Sequence, residues 1–394
     1  MLRGRLALES RGRRFSAWPR AGRLDGSLGI TGRAFGQAHM LGVVRNFTRV
    51  GLGVSWMTVG YRVAVVGATG LVGETLLQVL RERQFPVSEL VLLASERSEG
   101  ARVAFGGRDH VVKRCRPGSF RGCDFAFFCV GAAVSRKLVP QAVREGAVVI
   151  DKSDGFRMDA QVPLVVPEVN PEALNHHRGI VASPNCSTIQ LVMVLAPLMR
   201  RAGLERVTVA TYQSVSGAGR EAVSELETQV KDWAGGRELR TKRFPEQIAF
   251  NLLPHIGRVS PDGHCGEEVK LMRETRKILG LPDLPISATT VRVPVFVGHA
   301  QAVAVEMSKP LDPDEARALL ARAPGLAVWD PPDAARYPTP RAAAGRDEIL
   351  VGRIRKDPAS PKGLLLWTCN DNLRKGAATN AVQIAEEMIR RGIS

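Results

Sequence analysis

The segment from residue 61 to residue 83 constrains the fold more than any other part of the chain. A short β-branched run leads directly into the heptapeptide G-A-T-G-L-V-G, and apolar side chains then recur at helical spacing. A strand, a glycine turn and a helix in this order form the first unit of a dinucleotide-binding sheet, where the helix N-terminus faces a pyrophosphate. Gly67 permits the tight turn, Gly70 lets the backbone approach the phosphates, and Gly73 allows the helix to pack closely.

The end of the next predicted strand indicates which dinucleotide binds. Residues 90–94 form an apolar run, after which a chain built for NAD usually carries an acid that binds the ribose 2′-hydroxyl. This chain instead continues with Ser95, Glu96, Arg97 and Ser98. An arginine can pair with a 2′-phosphate while the two serines donate hydrogen bonds to it, so NADP is the predicted cofactor. Glu96 does not fit this interpretation, and a solvated loop position for Arg97 stays open as the alternative.

The order of the later segments predicts the fold class. Strands and helices alternate up to residue 151, which favours a parallel, doubly wound sheet. Beyond residue 186 longer alternating strands favour a second domain with a mixed or antiparallel sheet. We therefore predict an α/β protein in which a Rossmann-like dinucleotide-binding domain is followed by a mixed α+β domain. The predicted ranges are a leader at 1–56, the NADP-binding domain at 57–185, the second domain at 186–370 and a terminal helix at 371–394.

The candidate nucleophile is Cys186. A turn at residues 183–185 places this cysteine at or just before a predicted helix, which Ser187 or Thr188 is expected to cap. Unpaired N–H groups and the positive end of the helix dipole favour an anion there, so the pKa of the thiol is expected to fall and an oxyanion beside the sulfur finds donors. The alternative is a buried cysteine that acts as a small hydrophobe.

Four further polar residues are candidates for substrate contacts. Arg157 follows the carboxyl end of a predicted strand, where such sheets bind ligands. Gln213 precedes a glycine turn and either closes a strand or offers its amide to a substrate carbonyl. Glu267 and Lys270 lie three residues apart on one face of a predicted helix, and the residues alone favour a solvated surface ion pair there.

Arg292 and His299 lie in apolar, β-like surroundings, and neither side chain is stable there without a partner. A separation of seven residues would place them on opposite faces of one straight strand. If both face a site, Pro294 and Gly298 must therefore break this segment into two strands.

Half of the net charge of +16 lies in residues 1–56, which hold ten arginines and two acidic residues. Such a composition is typical of an organellar transit peptide. Another interpretation, which we favour, is that Met57 is the physiological start and that the preceding residues are upstream sequence. Either way the leader is not expected to belong to the fold. Nucleic-acid binding through this basic leader is a further hypothesis, which requires the leader to be expressed.

The remaining composition argues against several classes of protein. The chain of 394 residues is 44% hydrophobic and 24% charged, which is ordinary for a soluble globular protein. No apolar run reaches the roughly 18 residues that a membrane span needs. The six cysteines show no CxxC spacing, so reduced thiols in a cytoplasmic protein are expected. His255, His264 and Cys265 match no common zinc-ligand spacing, and no metal site is predicted.

Six motifs between residues 61 and 392 resemble those of the bacterial-type aspartate-semialdehyde dehydrogenases, in the order of that family. They are G-A-T-G-L-V-G, S-P-N-C-S-T, Q-S-V-S-G-A-G, E-E-V-K, R-V-P-V-F-V-G-H and D-N-L-R-K-G-A-A. The resemblance implies NADPH-dependent conversion of aspartyl phosphate to aspartate semialdehyde through a cysteine thioester. It also implies a role in the biosynthesis of lysine, threonine, methionine and diaminopimelate. A homodimer or a tetramer of dimers is expected, with the second domain serving both catalysis and dimerisation and the terminal helix returning to the NADP-binding domain.

The resemblance also implies roles for individual residues in the reaction. Cys186 would be the nucleophile, His299 the acid/base, and Gln213 the residue that orients the intermediate. Arg292 would bind the α-carboxylate of the substrate, and Glu267 would bind its amino group.

The remaining implied contacts involve the phosphate and the cofactor. Lys270 and Arg157 would bind the phosphate, and Asn185 would belong to the substrate-binding residues. The predicted cofactor-binding residues are Gly67, Thr69, Gly70, Leu71, Val72, Gly73, Ser95, Arg97, Ser98, Ser216, Gly217 and Asn370.

Two alternative functions remain at this stage. The first is reduction of N-acetylglutamyl phosphate, for which a P-G-C type segment would be expected where Asn185 precedes the cysteine here. The second is a nucleotide-binding paralogue that has lost catalysis, against which the joint presence of Cys186, Gln213, Arg292 and His299 argues. The predicted partners are small molecules, with no nucleic acid and no membrane.

Overall fold

A computed structural model describes residues 60–331 and 336–393. The predictions about the leader at residues 1–56 lie outside the described residues. Among the helices within these ranges, we find none with the length and apolar character that crossing a membrane requires.

The first sheet has six parallel strands, as the alternation of segments predicted. Its strands lie in the order β5-β2-β1-β6-β7-β8. Their bounds are Tyr61–Val66 (β1), Val87–Ala94 (β2), Lys113–Arg114 (β5), Phe125–Phe128 (β6), Val148–Asp151 (β7) and Ile180–Ala182 (β8). The strands Arg102–Phe105 (β3) and Arg108–Val111 (β4) form a separate antiparallel hairpin.

Helices cover both faces of this sheet. Leu71–Glu82 (α1) and the terminal helix Thr379–Arg391 (α8) contribute to one buried cluster, together with alternate residues of β1 and β6. Ala132–Arg144 (α2) packs on the opposite face. The sheet is therefore doubly wound, and the terminal helix packs in the same core as α1.

The glycine turn between β1 and α1 has the strained and crowded geometry that requires glycine. Gly67 has a φ of +85°, in the left-handed region that L-residues rarely adopt. A Cβ on Gly73 would lie 2.2 Å from the carbonyl oxygen of Gly67. Gly70 has no side chain to cap α1. The N–H groups of the first helical turn therefore face outward without an internal partner.

The second sheet is mixed, and its strands lie in the order β10-β9-β11-β14-β13-β12. β9 pairs in parallel with β10 and antiparallel with β11, whereas β12 and β13 are parallel. The strand bounds are Arg206–Gln213 (β9), Ile286–Arg292 (β10), His299–Glu306 (β11), Leu326–Val328 (β12), Ile349–Lys356 (β13) and Gly363–Asn370 (β14). The helices of this part are Cys186–Ala202 (α3), Arg220–Ala234 (α4), Gly266–Leu279 (α5), Pro313–Arg322 (α6) and Pro340–Ala343 (α7).

The two faces of the second sheet differ in burial. Helices α3, α5 and α6 pack on one face and form the largest apolar core with it. The strands alternate strictly, so every second residue points to the opposite face. That face carries half-buried apolar side chains, namely Ala210, Tyr212, Ala302, Ala304, Leu365 and Trp367.

Candidate active site

Cys186 is the first residue of α3, where the sequence placed the predicted nucleophile. The cap of this helix is Asn185, not Ser187 or Thr188 as expected. Its Oδ1 accepts hydrogen bonds from the N–H groups of Ser187 at 2.8 Å and of Thr188 at 3.4 Å. Asparagine is among the strongest N-cap residues, and this cap leaves the backbone N–H of Cys186 itself unoccupied at the N-terminus of the helix.

A cavity of about 610 Å³ opens above Cys186. Residues from both sheets line it, and they include all five predicted substrate-binding residues. The lining comprises Arg157, Asn185, Gln213, Glu267, Lys270 and Arg292, together with Lys152, Asp154 and Gly217. Glu267 and Lys270 do lie 3.9 Å apart as an ion pair, but the solvated surface position that the residues alone favoured is wrong, because Glu267 is only 8% exposed and both residues line the cavity.

Two carboxylates of α5 accept hydrogen bonds from Asn185, the residue before the nucleophile. Glu267 accepts a hydrogen bond from the Nδ2 of Asn185 at 2.8 Å. Glu274 accepts one from the backbone N–H of Asn185 at 2.7 Å, and its other oxygen pairs with Arg157 at 2.9 Å. Glu267 and Glu274 lie two turns apart on the same face of α5. The helix therefore fixes both the cap and the arginine.

Arg157 makes a full set of contacts inside the protein. Besides the ion pair with Glu274, its guanidinium donates to the carbonyl of Ser183 at 3.0 Å and to the carbonyl of Lys152 at 2.7 Å. The residue is buried and still lines the cavity. It therefore combines a structural role in the floor of the site with a positive charge toward the ligand.

The pKa of Cys186 does not move in the expected direction. Burial, and after it the nearby Glu267 carboxylate, raise the pKa of the thiol to about 11, although Lys152, Arg292 and Arg157 act to lower it. The expectation of a lowered pKa considered only the helix N-terminus. Desolvation of the thiolate and one close carboxylate outweigh that effect in this cavity.

Arg292 and His299 reach the site from two separate strands, as the sequence required. Arg292 ends β10 and pairs in register with Gln213 at the end of β9, and His299 begins β11 on the other side of β9. Gly298, between them, has a φ of +96°. A Cβ built on Gly217 would lie 2.9 Å from a guanidinium nitrogen of Arg292 and 3.4 Å from Nε2 of His299, so these groups converge.

The hydrogen bonds of His299 determine its tautomer. The backbone N–H of Ser214 lies 3.1 Å from Nδ1. A backbone N–H only donates, so Nδ1 is the acceptor and the neutral ring carries its proton on Nε2. Burial and the charge of Arg292 lower the pKa of His299 to about 3, so the ring stays neutral. Nε2 is buried and has no hydrogen-bond partner among the described residues.

A second cavity, of about 850 Å³, opens from the glycine turn. Thr69, Gly70 and Arg97 line it, opposite the basic segment that contains Arg240 and Lys242. The uncapped N-terminus of α1 supplies free N–H groups, and a cavity of this size is suited to a nucleotide. The residues present therefore fit a phosphate-bearing dinucleotide such as NADP.

Four other predicted cofactor residues lie at the start of α1 or in the segment that follows β2. Leu71 and Val72 begin α1, and Ser98 accepts a hydrogen bond from Thr69 at 3.2 Å. Ser95 immediately precedes the short 3₁₀ helix Glu96–Ser98. These four residues are therefore next to residues that line the cavity, namely Gly70 and Arg97 in the sequence and Thr69 through the hydrogen bond of Ser98.

Ser216, Gly217 and Asn370 lie nearer to Cys186 than to the glycine turn. The hydroxyl of Ser216 is buried and bonded to Asn372, and Gly217 lines the Cys186 cavity. Asn370 donates to the carbonyl of Cys186 at 3.4 Å. The nicotinamide ring of NADP is the part that must lie beside Cys186. These residues would therefore contact the nicotinamide end of the cofactor.

Four residues of the site were missed by the sequence reasoning. Glu274 and Ser214 act through hydrogen bonds across the fold, which no local pattern reveals. Lys152 and Asp154 occur in the same polar loop that singled out Arg157, so their position after a strand was an available signal. In the part of the chain that the structure describes, no cluster of side chains could hold a metal ion.

Two family profiles match the chain. Residues 62–177 match "Semialdehyde dehydrogenase, NAD binding domain", and residues 195–375 match "Semialdehyde dehydrogenase, dimerisation domain". The boundary between the two matches falls at the beginning of α3, close to Cys186.

Named relatives and solved structures cover the same region. The chain is 52% identical over 338 residues to the aspartate-semialdehyde dehydrogenase of Aquifex aeolicus, a match that covers 85% of this chain and 99% of that protein. The crystal structure of aspartate semialdehyde dehydrogenase II from Vibrio cholerae, complexed with ASA, has a TM-score of 0.82 at 46% identity and covers 84% of this chain and 98% of that one. The Candida albicans enzyme with NADP has a TM-score of 0.68 at 26% identity, covering 85% and 100%.

The charge balance around Cys186 predicts the effect of one isosteric substitution. Glu267→Gln keeps the acceptor for Asn185 but removes the carboxylate that raises the pKa of the thiol. We expect the pH profile of Cys186 alkylation by iodoacetamide to shift to lower pH than in the wild type. At a fixed pH below the pKa, the variant should therefore react several-fold faster. Peptide mass spectrometry against pH measures this rate. Glu315→Gln on α6 is the control, and a profile that stays in place would contradict the electrostatic assignment.

Proposed function

The chain belongs to the aspartate-semialdehyde dehydrogenase family, and from this membership and the geometry around Cys186 we propose how it converts aspartyl phosphate to aspartate semialdehyde with NADPH. The observation that carries the proposal is a cysteine at a capped helix N-terminus, in one cavity with a carboxylate-binding arginine and several further cations. The protein is an oxidoreductase, and the reaction is reversible.

The first step is acyl transfer to the cysteine. The thiolate of Cys186 attacks the acyl carbon, the carbon–oxygen bond to the phosphoryl group breaks, and a thioester and inorganic phosphate result. The backbone N–H of Cys186, which the Asn185 cap does not occupy, and the positive end of the α3 dipole are placed to stabilise the oxyanion that forms beside the sulfur. Because burial disfavours the free thiolate, the positive charges that bind the substrate also favour the attacking species.

The second step is reduction of the thioester, for which bound NADPH supplies the hydride. His299 offers an Nε2–H from a neutral ring whose Nδ1 is held by Ser214. We therefore assign His299 to donate a hydrogen bond to the oxygen of the thiohemiacetal. When the tetrahedral species collapses, the carbon–sulfur bond breaks, the aldehyde leaves and Cys186 regains its thiolate. Gln213, on the adjacent strand, is placed to orient the same oxygen.

The binding of the substrate's charged groups follows from the pairing of the cavity's side chains. Arg292 donates within the protein to one carbonyl, that of Ser214 at 2.7 Å, so much of its planar fork remains for the α-carboxylate. Glu267 faces the same space and is assigned to the amino group. Lys270 and Arg157 are assigned to the phosphoryl group on the opposite side of Cys186.

NADP is the cofactor, and we assign its adenosine end to the cavity beside the glycine turn. The N-terminus of α1 would hold the pyrophosphate, and Arg97 would pair with the 2′-phosphate. Glu96 does not oppose this assignment, because its carboxylate pairs with Arg114 at 3.1 Å and not with Arg97.

We propose three segments for the chain beyond the leader. We assign residues 57–185 to the NADP-binding domain, 186–370 to the catalytic and dimerisation domain, and 371–394 to a terminal element that returns to the first. The shared core of α8 and α1 and the ion pair between Arg83 and Glu386 at 2.6 Å support the last assignment.

We also assign the protein to the cytoplasm, where its six unpaired thiols suit a reducing environment. The products would enter lysine, threonine, methionine and diaminopimelate biosynthesis.

We propose that the protein is a homodimer whose interface includes the outer face of the second sheet. That face presents apolar side chains from three strands, among them Tyr212, Ala304 and Trp367. Contiguous apolar surface of this kind is characteristic of an interface between subunits.

The reaction is tested by assaying aspartate semialdehyde with phosphate and NADP. We expect turnover of this substrate, at least about a hundredfold above that of N-acetylglutamate semialdehyde, because an acetylated nitrogen carries no positive charge to pair with Glu267. Cys186→Ser should lower kcat by about three orders of magnitude or more while the circular dichroism spectrum stays unchanged. Cys115→Ser is the matched control. Full activity of the Cys186 variant would exclude the thioester.

Cofactor choice is tested at Arg97. Arg97→Ala should raise the KM for NADPH by roughly ten- to a hundredfold, because a charge-assisted hydrogen bond to the 2′-phosphate is lost. The KM for NADH should change by less than about threefold, since NADH has no 2′-phosphate. The exposed Arg108→Ala on β4 is the control. Equal losses for the two cofactors would place Arg97 outside the 2′-phosphate site.

The interface is tested by one charge on the sheet face. Ala304→Glu should convert a species of twice the chain mass to one of the chain mass in light scattering, because a carboxylate would be buried without a partner. Val111→Glu, at an exposed apolar position on the β3–β4 hairpin, should leave the mass unchanged. A dimer that survives Ala304→Glu would show that this face is not the interface.

A further inference from the structure

Lys152 lies at the carboxyl end of β7 and lines the same cavity as Cys186. Its backbone N–H donates to the carbonyl of Phe128 at 3.1 Å, and its own carbonyl accepts from Arg157 at 2.7 Å. The main chain of Lys152 is thus held from two sides. The backbone of Lys152 therefore has a fixed position in the wall of the cavity, and its side chain extends from there.

The two cations already assigned to the phosphoryl group both have carboxylate partners. Arg157 pairs with Glu274 at 2.9 Å. Lys270 pairs with Asp154 at 2.9 Å and lies 3.9 Å from Glu267. A phosphoryl group carries close to two negative charges, so these neutralised cations leave much of its charge without compensation.

Lys152 has no such partner. Its Nζ makes no hydrogen bond and no ion pair with any residue in the ranges 60–331 and 336–393. The adjacent carboxylate of Asp151 is occupied by Ser135 at 2.8 Å and by Ser153 at 2.7 Å. The other charged or titratable groups that act on Lys152 are Arg157 and the thiols of Cys129 and Cys186.

The position of Lys152 relative to the sulfur also fits the leaving group. Among the cations that lower the pKa of Cys186, Lys152 has the largest effect, ahead of Arg292 and Arg157. The acyl carbon that the sulfur attacks carries the phosphoryl oxygen. Because Lys152 lines the same cavity as the sulfur, its ammonium is available to the phosphoryl group of a substrate bound there.

We propose that Lys152 binds the phosphoryl group of the acyl phosphate, and inorganic phosphate in the reverse reaction, as a third cation beside Arg157 and Lys270. This inference rests on the proposed function. Burial lowers the pKa of Lys152 to about 8, and its ammonium has no carboxylate counter-ion among the described residues. Bound phosphate would supply one and would favour the charged form.

The kinetic test uses Lys152→Met, which keeps the length of the side chain and removes its charge. In the reverse reaction the apparent KM for phosphate should rise about ten- to a hundredfold, while that for aspartate semialdehyde changes by less than about threefold. Lys137→Met, at an exposed lysine on α2, is the matched control. An unchanged KM for phosphate, or a rise confined to NADP, would overturn the proposal.

A binding test separates this inference from the proposed reaction, because it needs no turnover. Inorganic phosphate should protect Cys186 of the wild type from iodoacetamide, and Lys152→Met should need roughly tenfold or more phosphate for the same protection. Equal protection in the two proteins would overturn the assignment of Lys152. Failure of aspartate semialdehyde to react, with protection still dependent on Lys152, would instead overturn the proposed substrate alone.

The pH dependence supplies a further readout. In the wild type, phosphate protection should weaken as the pH rises through about 8, because the ammonium of Lys152 loses its proton there. Lys152→Arg should bind phosphate and keep its protection above this pH, since a guanidinium stays charged. If the arginine variant loses protection at the same pH as the wild type, another group controls phosphate binding.

Discussion

The hydrogen bonds between α5 and Asn185 are the interactions on which the rest of the site depends. Glu267 binds the side chain of Asn185 and Glu274 binds its backbone N–H. Asn185 in turn caps α3 and so sets where Cys186 begins the helix. One face of a single helix thereby fixes the nucleophile, and through Glu274 it also fixes Arg157 from the first sheet. Removing either carboxylate would leave buried donors unpaired, which is costly in a desolvated site.

One of these carboxylates, that of Glu267, also disfavours ionisation of the free thiol. Burial and Glu267 raise the pKa of Cys186, and the surrounding cations offset only part of this effect. A resting thiol of this kind is protected from adventitious oxidation, because reactivity follows the thiolate. In the proposed mechanism, the amino group of the substrate neutralises Glu267 as it binds. The nucleophile would then be activated by the substrate it attacks.

His299 illustrates how a main-chain contact decides the chemistry of a side chain. The sequence placed a histidine in an apolar strand, but it could not assign a proton to either ring nitrogen. The N–H of Ser214, in the segment after β9, occupies Nδ1 and leaves Nε2–H without a hydrogen-bond partner among the described residues. The ring is thus a hydrogen-bond donor of fixed tautomer. The break of the β10–β11 segment at Gly298 is what brings this donor close to Arg292.

The sequence by itself determined the local features whose physics is local. The glycine turn before α1 and the helix start at Cys186 could be predicted because glycine geometry and helix caps involve a few neighbouring residues. The family motifs also led to Arg292 and Gln213, which the second sheet brings into register. Only the tertiary structure decided the charge state of the site. Glu267 and Lys270 look like a solvated pair on an isolated helix, and they face the cavity because α5 packs against α3. The pKa of Cys186, the tautomer of His299 and the unpaired state of Lys152 depend on groups far apart in the chain. Desolvation and long-range charge arise only once the two sheets enclose the cavity, so no local pattern of residues encodes them.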